Sequence, residues 1–307
     1  MRQVTEHASD ELSERFLVEH DGRRICTLVF DLIAYTALSF PECAEGVRSF
    51  YGAFVRRFGN DVKWYATETM ADEKAITAKV WTMVDTWFAE GAKPRSDYGL
   101  YLHTGSTDDD QRPPAFHMFS HSRPTKAKFL RMMLPVSVAT DPAAAIAMSK
   151  EALTGLPFVW GTAGFAVYYN VKSQGDRFKT GARTGPLLMR HPGVDSGNPL
   201  TTSFTALQAV KTVNWLTILG RDLSEAVGGM SAIGKRAGSS VTLHALPQGV
   251  IIQAGDRPQP GDVNRDEPLP AYAAVARAIG PVLATEHSQI EGLSREQTER
   301  WLRRFDA

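Results

Sequence analysis

Arg24-Ile25-Cys26-Thr27-Leu28-Val29-Phe30-Asp31-Leu32-Ile33-Ala34 is the first stretch of the chain that commits to a conformation. Its density of Ile, Val, Leu and Phe reads as a strand. The period then changes. Pro41 suits a first helical position, and Val47, Phe50, Tyr51, Phe54, Val55 and Phe58 recur at 3.6-residue spacing until Gly59, which predicts a helix with one face on a core. A second helix is expected over about 72–89, where Ile76, Val80, Trp81, Val84, Trp87 and Phe88 fall on one side and Gly91 ends the run. Two tryptophans on that face read as core before binding surface, because aromatic stripes at helical spacing are usually buried.

Further along, Tyr98–His103, Ala115–His121 and Phe129–Ala139 read as strands, the first two separated by the polar loop Thr104–Pro114. Asp141 and Pro142 open an Ala-rich helix closed by Gly155, and Gly161–Val171 returns as a strand. The β, α, β order has an echo over 129–171, without a sequence repeat. Residues 172–202 are rich in Gly, Pro and polar side chains with weak periodicity, and a seam between two halves is placed there. Beyond the apolar stretch Thr205–Leu219, Asp222–Val227 reads as a short helix stopped at Gly228-Gly229. Val241–Leu246 and Val250–Gln253 form a hairpin around Pro247-Gln248-Gly249. Tyr272, Val275, Ala276 and Ile279 mark a helix face ended by Gly280-Pro281, and a last helix starts at Ser294, at capping-box spacing from Gln297. The expected fold class is α+β, mainly antiparallel sheet with packed helices, as two related α/β halves in one compact unit. The expected organisation is a polar segment 1–20, a domain 21–285 with halves 21–171 and 203–285, and a C-terminal helix within 286–307.

The bulk composition narrows the function classes. With 307 residues, 43% hydrophobic and 22% charged, the chain can bury a substantial core and has no disordered bias. Its 34 basic and 34 acidic side chains cancel, so no global field exists to hold nucleic acid or an anionic membrane directly. Cys26 and Cys43 sit among apolar neighbours and are expected as buried, reduced thiols. Met1–Phe16 is polar, with Glu6, Asp10, Glu11 and Glu14, unlike a secretory h-region, and no apolar run nears the roughly twenty residues of a membrane span. A cytoplasmic location is expected.

Searches for chemistry find little. Walker-type, GxGxxG and kinase signatures are absent, as is GxSxG, and Gly238-Ser239-Ser240 leads into a strand, the wrong context for a nucleophile elbow. His117 and His121, with His103 and the Asp108-Asp109-Asp110 run, make the sharpest metal candidate. On an extended strand positions 117 and 121 lie about 13 Å apart, too far to share an ion, so surface histidines beside a solvated loop are the plainer reading. Glu68 with Asp72, or Asp256 with Asp262, read as turn and cap residues before an acid/base pair. No catalytic residue, metal or cofactor is assigned. Three aspartates at a loop tip are ordinarily a hydrated face. The functional alternative is mimicry, in which a carboxylate cluster occupies a phosphate-binding or metal-bearing cleft of a nuclease.

The C-terminal half carries a resemblance. Asn214-Trp215-Leu216-Thr217 with Leu219-Gly220, then Leu223, Gly228-Gly229, Gln253-Ala254-Gly255, Pro258–Arg265, Tyr272 and Val275, resemble the type VI secretion immunity-protein family. Upstream, Gly164 with Tyr168-Tyr169-Asn170, and Arg190-His191-Pro192-Gly193-Val194-Asp195, are similar to its middle blocks. The resemblance spans roughly residues 20–285 and is strongest after Asn214. It implies a non-catalytic immunity protein that binds one cognate type VI effector toxin, often a nuclease, and obstructs its active site. The motif residues Trp215, Gly228, Gly229, Gly261, Asp262, Asn264 and Arg265 are expected to be structural. Toxin contacts are expected in variable loops and on exposed sheet edges, with Tyr101, His103, Asp108, Asp109 and Asp110 as candidates. A 1:1 or 2:2 complex is expected, which leaves a homodimer open. The competing readings are a hydrolase with a noncontiguous site around His103, His117 and Asp108, and an adaptor that loads an effector onto the secretion apparatus.

Overall fold

The computed structural model describes residues 11–121, 123, 125–170 and 174–306. Its strands are β1 (Val18–His20), β2 (Arg23–Thr36), β3 (Trp64–Thr67), β4 (Lys74–Ala75), β5 (Tyr98–His103), β6 (Ala115–Ser120), β7 (Lys128–Leu134), β8 (Trp160–Tyr169), β9 (Leu216–Gly220), β10 (Val241–Leu246) and β11 (Gly249–Ala254). Among the described residues these eleven form one sheet, ordered β10-β11-β9-β8-β2-β7-β6-β5-β3-β4, with β1 beside the start of β2. Every strand pairing is antiparallel. The fold is α+β, as the sequence predicts. Its centre is the apolar strand β2, buried without interruption from Ile25 to Thr36 and held between β7 and β8.

The helices are α1 (residues 11–16), α2 (Ala44–Phe58), α3 (Ala78–Trp81), α4 (Met83–Trp87), α5 (Pro142–Ala152), α6 (Gln174–Arg190), α7 (Pro199–Thr202), α8 (Arg221–Ala226), α9 (Gly229–Ala237), α10 (Pro270–Ile279) and α11 (Arg295–Leu302). Leu32, Met132 and Phe116 form one cross-strand row, so they share a face. Onto that face α2 lays Phe50, Tyr51 and Phe54, with ring centroids 5.4 to 6.3 Å from Phe116. Nearer the start of β2 the same face carries Cys26 and Leu28, which join Leu188 of α6, Trp301 of α11, and Leu12 and Phe16 in a second apolar cluster. The Ser294–Gln297 capping box opens α11 as predicted.

The opposite face is concave. Tyr101 on β5 and Tyr168 on β8 hydrogen-bond through their hydroxyls, although β6, β7 and β2 lie between those strands. On a flat sheet four steps of about 4.8 Å would hold them roughly 19 Å apart, farther than two tyrosines reach. The sheet must therefore coil until its two sides approach. A strap closes the hollow: Asp195 joins the free edge of β8 (Asp195 N–H to Phe165 O, 2.9 Å; Val167 N–H to Asp195 O, 2.8 Å), and the chain continues through Gly197 into α7.

Two predicted elements are corrected, and two helices are present that the sequence reading lacks. The helix expected over 72–89 is interrupted: Lys74–Ala75 is an edge strand, and Thr82 separates α3 from α4. The strand expected over Phe129–Ala139 ends at Leu134, because Pro135 cannot donate to the ladder, and Val136–Thr140 turns into a 3-10 helix. The seam region holds the 17-residue helix α6. Gly228-Gly229 does stop α8, but with φ of +86° and +73° it turns the chain directly into α9, a helix absent from the sequence reading.

Candidate functional site

The loop between β5 and β6 packs inward. Asp110 is 1% exposed and accepts hydrogen bonds from the Arg24 amide (3.1 Å), Ser106 Oγ (2.8 Å) and Arg112 Nε (2.6 Å). Burial raises its carboxyl pKa, but these three donors outweigh that and hold it below the ordinary value. Asp109 lies at the surface, where a bond from Thr107 first, and Arg23 after it, lower its pKa. Its backbone carbonyl accepts from Asn170 Nδ2 at 2.6 Å, which ties the loop to the end of β8. The run is thus not a freely hydrated tip: Asp110 is a buried fastener, and Asp108 and Asp109 alone reach the surface.

Tyr101 and His103 are interior residues, at 6% and 0% exposure, which corrects their expected placement on an exposed edge. His103 Nδ1 accepts from the Gly105 amide at 3.1 Å, so Nε2 carries the proton and donates to Glu73, whose other oxygen accepts from Gln111 Nε2 at 2.6 Å. Both imidazole nitrogens are committed, leaving no lone pair for a metal. Glu73 directly precedes the extended pair Lys74–Ala75, which bonds to Trp64 and Tyr65 where a helix was expected. His117 and His121 stay apart along and beyond β6, and among the described residues no cluster of three or more His, Cys, Asp or Glu is arranged to hold a metal ion.

The hollow of the sheet carries groups that the sequence reading missed. Tyr101, His117 and Arg131 form a cross-strand row, and Arg131 Nε donates to Asp31 Oδ1 at 2.7 Å, both side chains under 10% exposed. Arg131 Nη2 is buried with no hydrogen-bond partner. Beside it is a pocket with room of about 30 Å³, lined by Tyr101, His117, Arg131, Tyr168, Asn198 and Leu200. Burial, and then Arg131, push the His117 pKa down to about 3, so its imidazole is neutral. Burial raises the Asp31 pKa even against the opposing pull of Arg131. One layer deeper, Lys211 Nζ and Asp195 Oδ1 pair at 2.5 Å, both nearly enclosed. Burial alone would raise the Asp195 pKa, yet Lys211, supported by Arg304, holds it below the ordinary value. Leu200 at the lip is 38% exposed, and four residues on Phe204 is 52% exposed with Lys126 3.5 Å over its ring. Lys128 and Arg131 are two cations in the otherwise apolar strand β7, and nothing local in the sequence marks the missing partner of Arg131.

The motif residues hold the fold together elsewhere. Arg190 makes a two-nitrogen bond to Asp262 (2.8 and 2.6 Å), Gly193 N–H donates to Pro260 O (2.8 Å), and His191 Nδ1 meets Gly261 O (2.6 Å). The 190–195 and 258–265 blocks are therefore two halves of one clasp. Asp262 also accepts from the Asn264 amide at 3.0 Å and lies 3.8 Å from Arg265. Asn214 Nδ2 donates to Phe165 O at 3.1 Å, and buried Trp215 donates from Nε1 to Gly255 O at 3.1 Å.

The whole architecture is similar to a solved structure, the type VI secretion protein PA0821 of Pseudomonas aeruginosa. The TM-score is 0.81 at 19% identity, over 98% of this chain and 91% of that one. No curated protein matches the chain. The family model described as type VI immunity for VRR-NUC matches residues 46–305. That match spans most of the sequence and takes in both clasped blocks, and the chain belongs to the TsiV family of type VI immunity proteins for VRR-NUC.

Proposed function

We propose that this protein binds a cognate VRR-NUC effector in the cytoplasm as a stoichiometric inhibitor and silences it by covering its nuclease site, making and breaking no covalent bond itself. The observation that carries this reading is the family match over residues 46–305. The mutual pairing of the 190–195 and 258–265 blocks in the clasp supports it, since Arg190, His191 and Asp262 are occupied within the fold and leave specificity to other surfaces. We place the contact on the concave side, from Asp108 and Asp109 across the hollow to Leu200 and Phe204. Two carboxylates and the exposed Leu200 and Phe204 would together offer that partner a mixture of charge and apolar surface suited to selecting one protein.

Co-expression with the neighbouring effector gene is the test. Restored growth is expected; continued killing despite soluble expression of this chain removes the proposal. Replacing Asp108 and Asp109 by Ser, with Asp110 untouched, is expected to slow association more at low salt than at high salt. Equal association rates at all ionic strengths would remove the loop from the contact.

A further inference from the structure

The hollow of the sheet is built to receive something. Arg131 is 4% exposed, uses Nε on Asp31, and leaves Nη2 buried with no acceptor. A buried guanidinium nitrogen without a partner has lost its water and gained nothing in return, so such atoms are rare unless something supplies the acceptor. Gly197 backs onto the guanidinium so closely that a Cβ there would meet Arg131 Nη2 at 3.2 Å and Val167 O at 1.7 Å.

The surroundings say what kind of acceptor fits. The pocket is lined by neutral His117 and by Tyr101 and Tyr168, whose hydroxyls bond to each other, beside Arg131, so its unspent donor is the guanidinium Nη2. Two carboxylates, Asp31 and Asp195, stand among three cations, Arg131, Lys211 and Arg304, which leaves one positive charge in surplus. Room of about 30 Å³ accommodates one or two waters or one small planar group, not a nucleotide. An exposed leucine lip at the mouth fits the apolar stem and neighbours of an inserted side chain.

We infer that this pocket is the socket for one Asp or Glu side chain of the effector, whose carboxylate meets Arg131 Nη2 while flanking apolar groups cover Leu200 and Phe204. This rests on the effector-binding reading above and names the anchor within it. Desolvated pairs of this type sit at the centres of interfaces and set dissociation rates.

Two variants test the inference in the full-length chain. Arg131→Lys keeps a cation beside Asp31 but removes the planar fork. The double variant Asp31→Asn/Arg131→Met removes both charges, so neither is stranded. With melting temperatures near wild type, both are expected to weaken effector binding at least about 30-fold, mainly through faster dissociation. An alanine scan of acidic residues on the effector is expected to find one whose loss weakens binding to wild type comparably and adds little to the Arg131→Lys loss. Folded variants that bind as tightly as wild type would overturn the socket while leaving immunity intact. Acetate that raises the wild-type melting temperature through Arg131, with effector affinity indifferent to Arg131, would also overturn it, marking a site for free carboxylates. If wild type itself does not bind the effector, the immunity proposal is what fails.

Discussion

Lys211→Met should be among the most damaging single substitutions in this protein, although it touches no proposed contact. Lys211 and Asp195 are 3% and 6% exposed at their side chains and 2.5 Å apart. Removing the ammonium strands a carboxylate beneath the sheet edge, and breaking a buried pair from one side costs about 3–5 kcal/mol. A kilocalorie shifts the melting temperature of a chain this size by about 2 °C, so the expected loss is about 6–10 °C. The sign with pH follows from Asp195. Its folded pKa lies below the unfolded value of about 3.9, so in wild type its contribution is present above that value and disappears as pH falls through the folded one. In Lys211→Met burial is opposed only by Arg304 and the Gly197 amide and that pKa rises, so the deficit should be largest at pH 7 and shrink as the pH falls. Asp195→Asn/Lys211→Met should recover at least half of the loss, because exchanging both charges removes the orphan. Hydrogen exchange should quicken at Val167 and Gly197, whose amides bond to Asp195. A melting temperature for Lys211→Met within about 1 °C of wild type, or a double variant no better than the single, would refute the reasoning.

Three further outcomes are expected. Asp262, with its pKa held at about 2 chiefly by Arg190, should contribute stability above about pH 4 that fades as pH falls toward 2. In Asp262→Asn, acid-denaturation curves should lose that component, and an unchanged curve would contradict the clasp. A Cβ at Gly164 would meet Asn214 Oδ1 at 2.1 Å, so Gly164→Ala should destabilise by about 2–4 kcal/mol, and adding Asn214→Ala should cost less than the two singles sum to in urea unfolding. Burial pushes the Cys43 pKa up to about 11 and that of Cys26 further still, so neither thiol should react with Ellman's reagent at pH 8 until the chain is unfolded, when both should react.

Elements with strong local signals were legible in the sequence: the apolar run of β2, the 3.6-residue stripe of α2, the β10–β11 hairpin and the Ser294 cap. The helix α6 was not, because Gly181, Gly185 and Pro186 argue against helix at about 1 kcal/mol for each glycine and about 3 for the proline. Those glycines serve packing. Side chains there would strike the backbone of Gly292, with Cβ atoms at 2.9 Å from its Cα for Gly181 and 2.0 Å from its carbonyl for Gly185. The edge strand at Lys74–Ala75 follows Glu73, which bonds His103 thirty residues away, a partner no local window contains. The hollow was equally hidden. Tyr101 was singled out, but as a surface residue, and its meeting with Tyr168 comes from coiling of the sheet across three intervening strands. Arg131 becomes noteworthy only when its second nitrogen is found without a partner.

Titration of the purified cognate VRR-NUC effector with this chain, reading residual nuclease activity, tests the central claim most directly. The account predicts a linear fall to a sharp end point at one chain per effector, with the complex recovered intact by gel filtration. Activity that persists at a several-fold excess, or is abolished by a small fraction of an equivalent, would contradict it, the second because only a catalyst could act at that ratio.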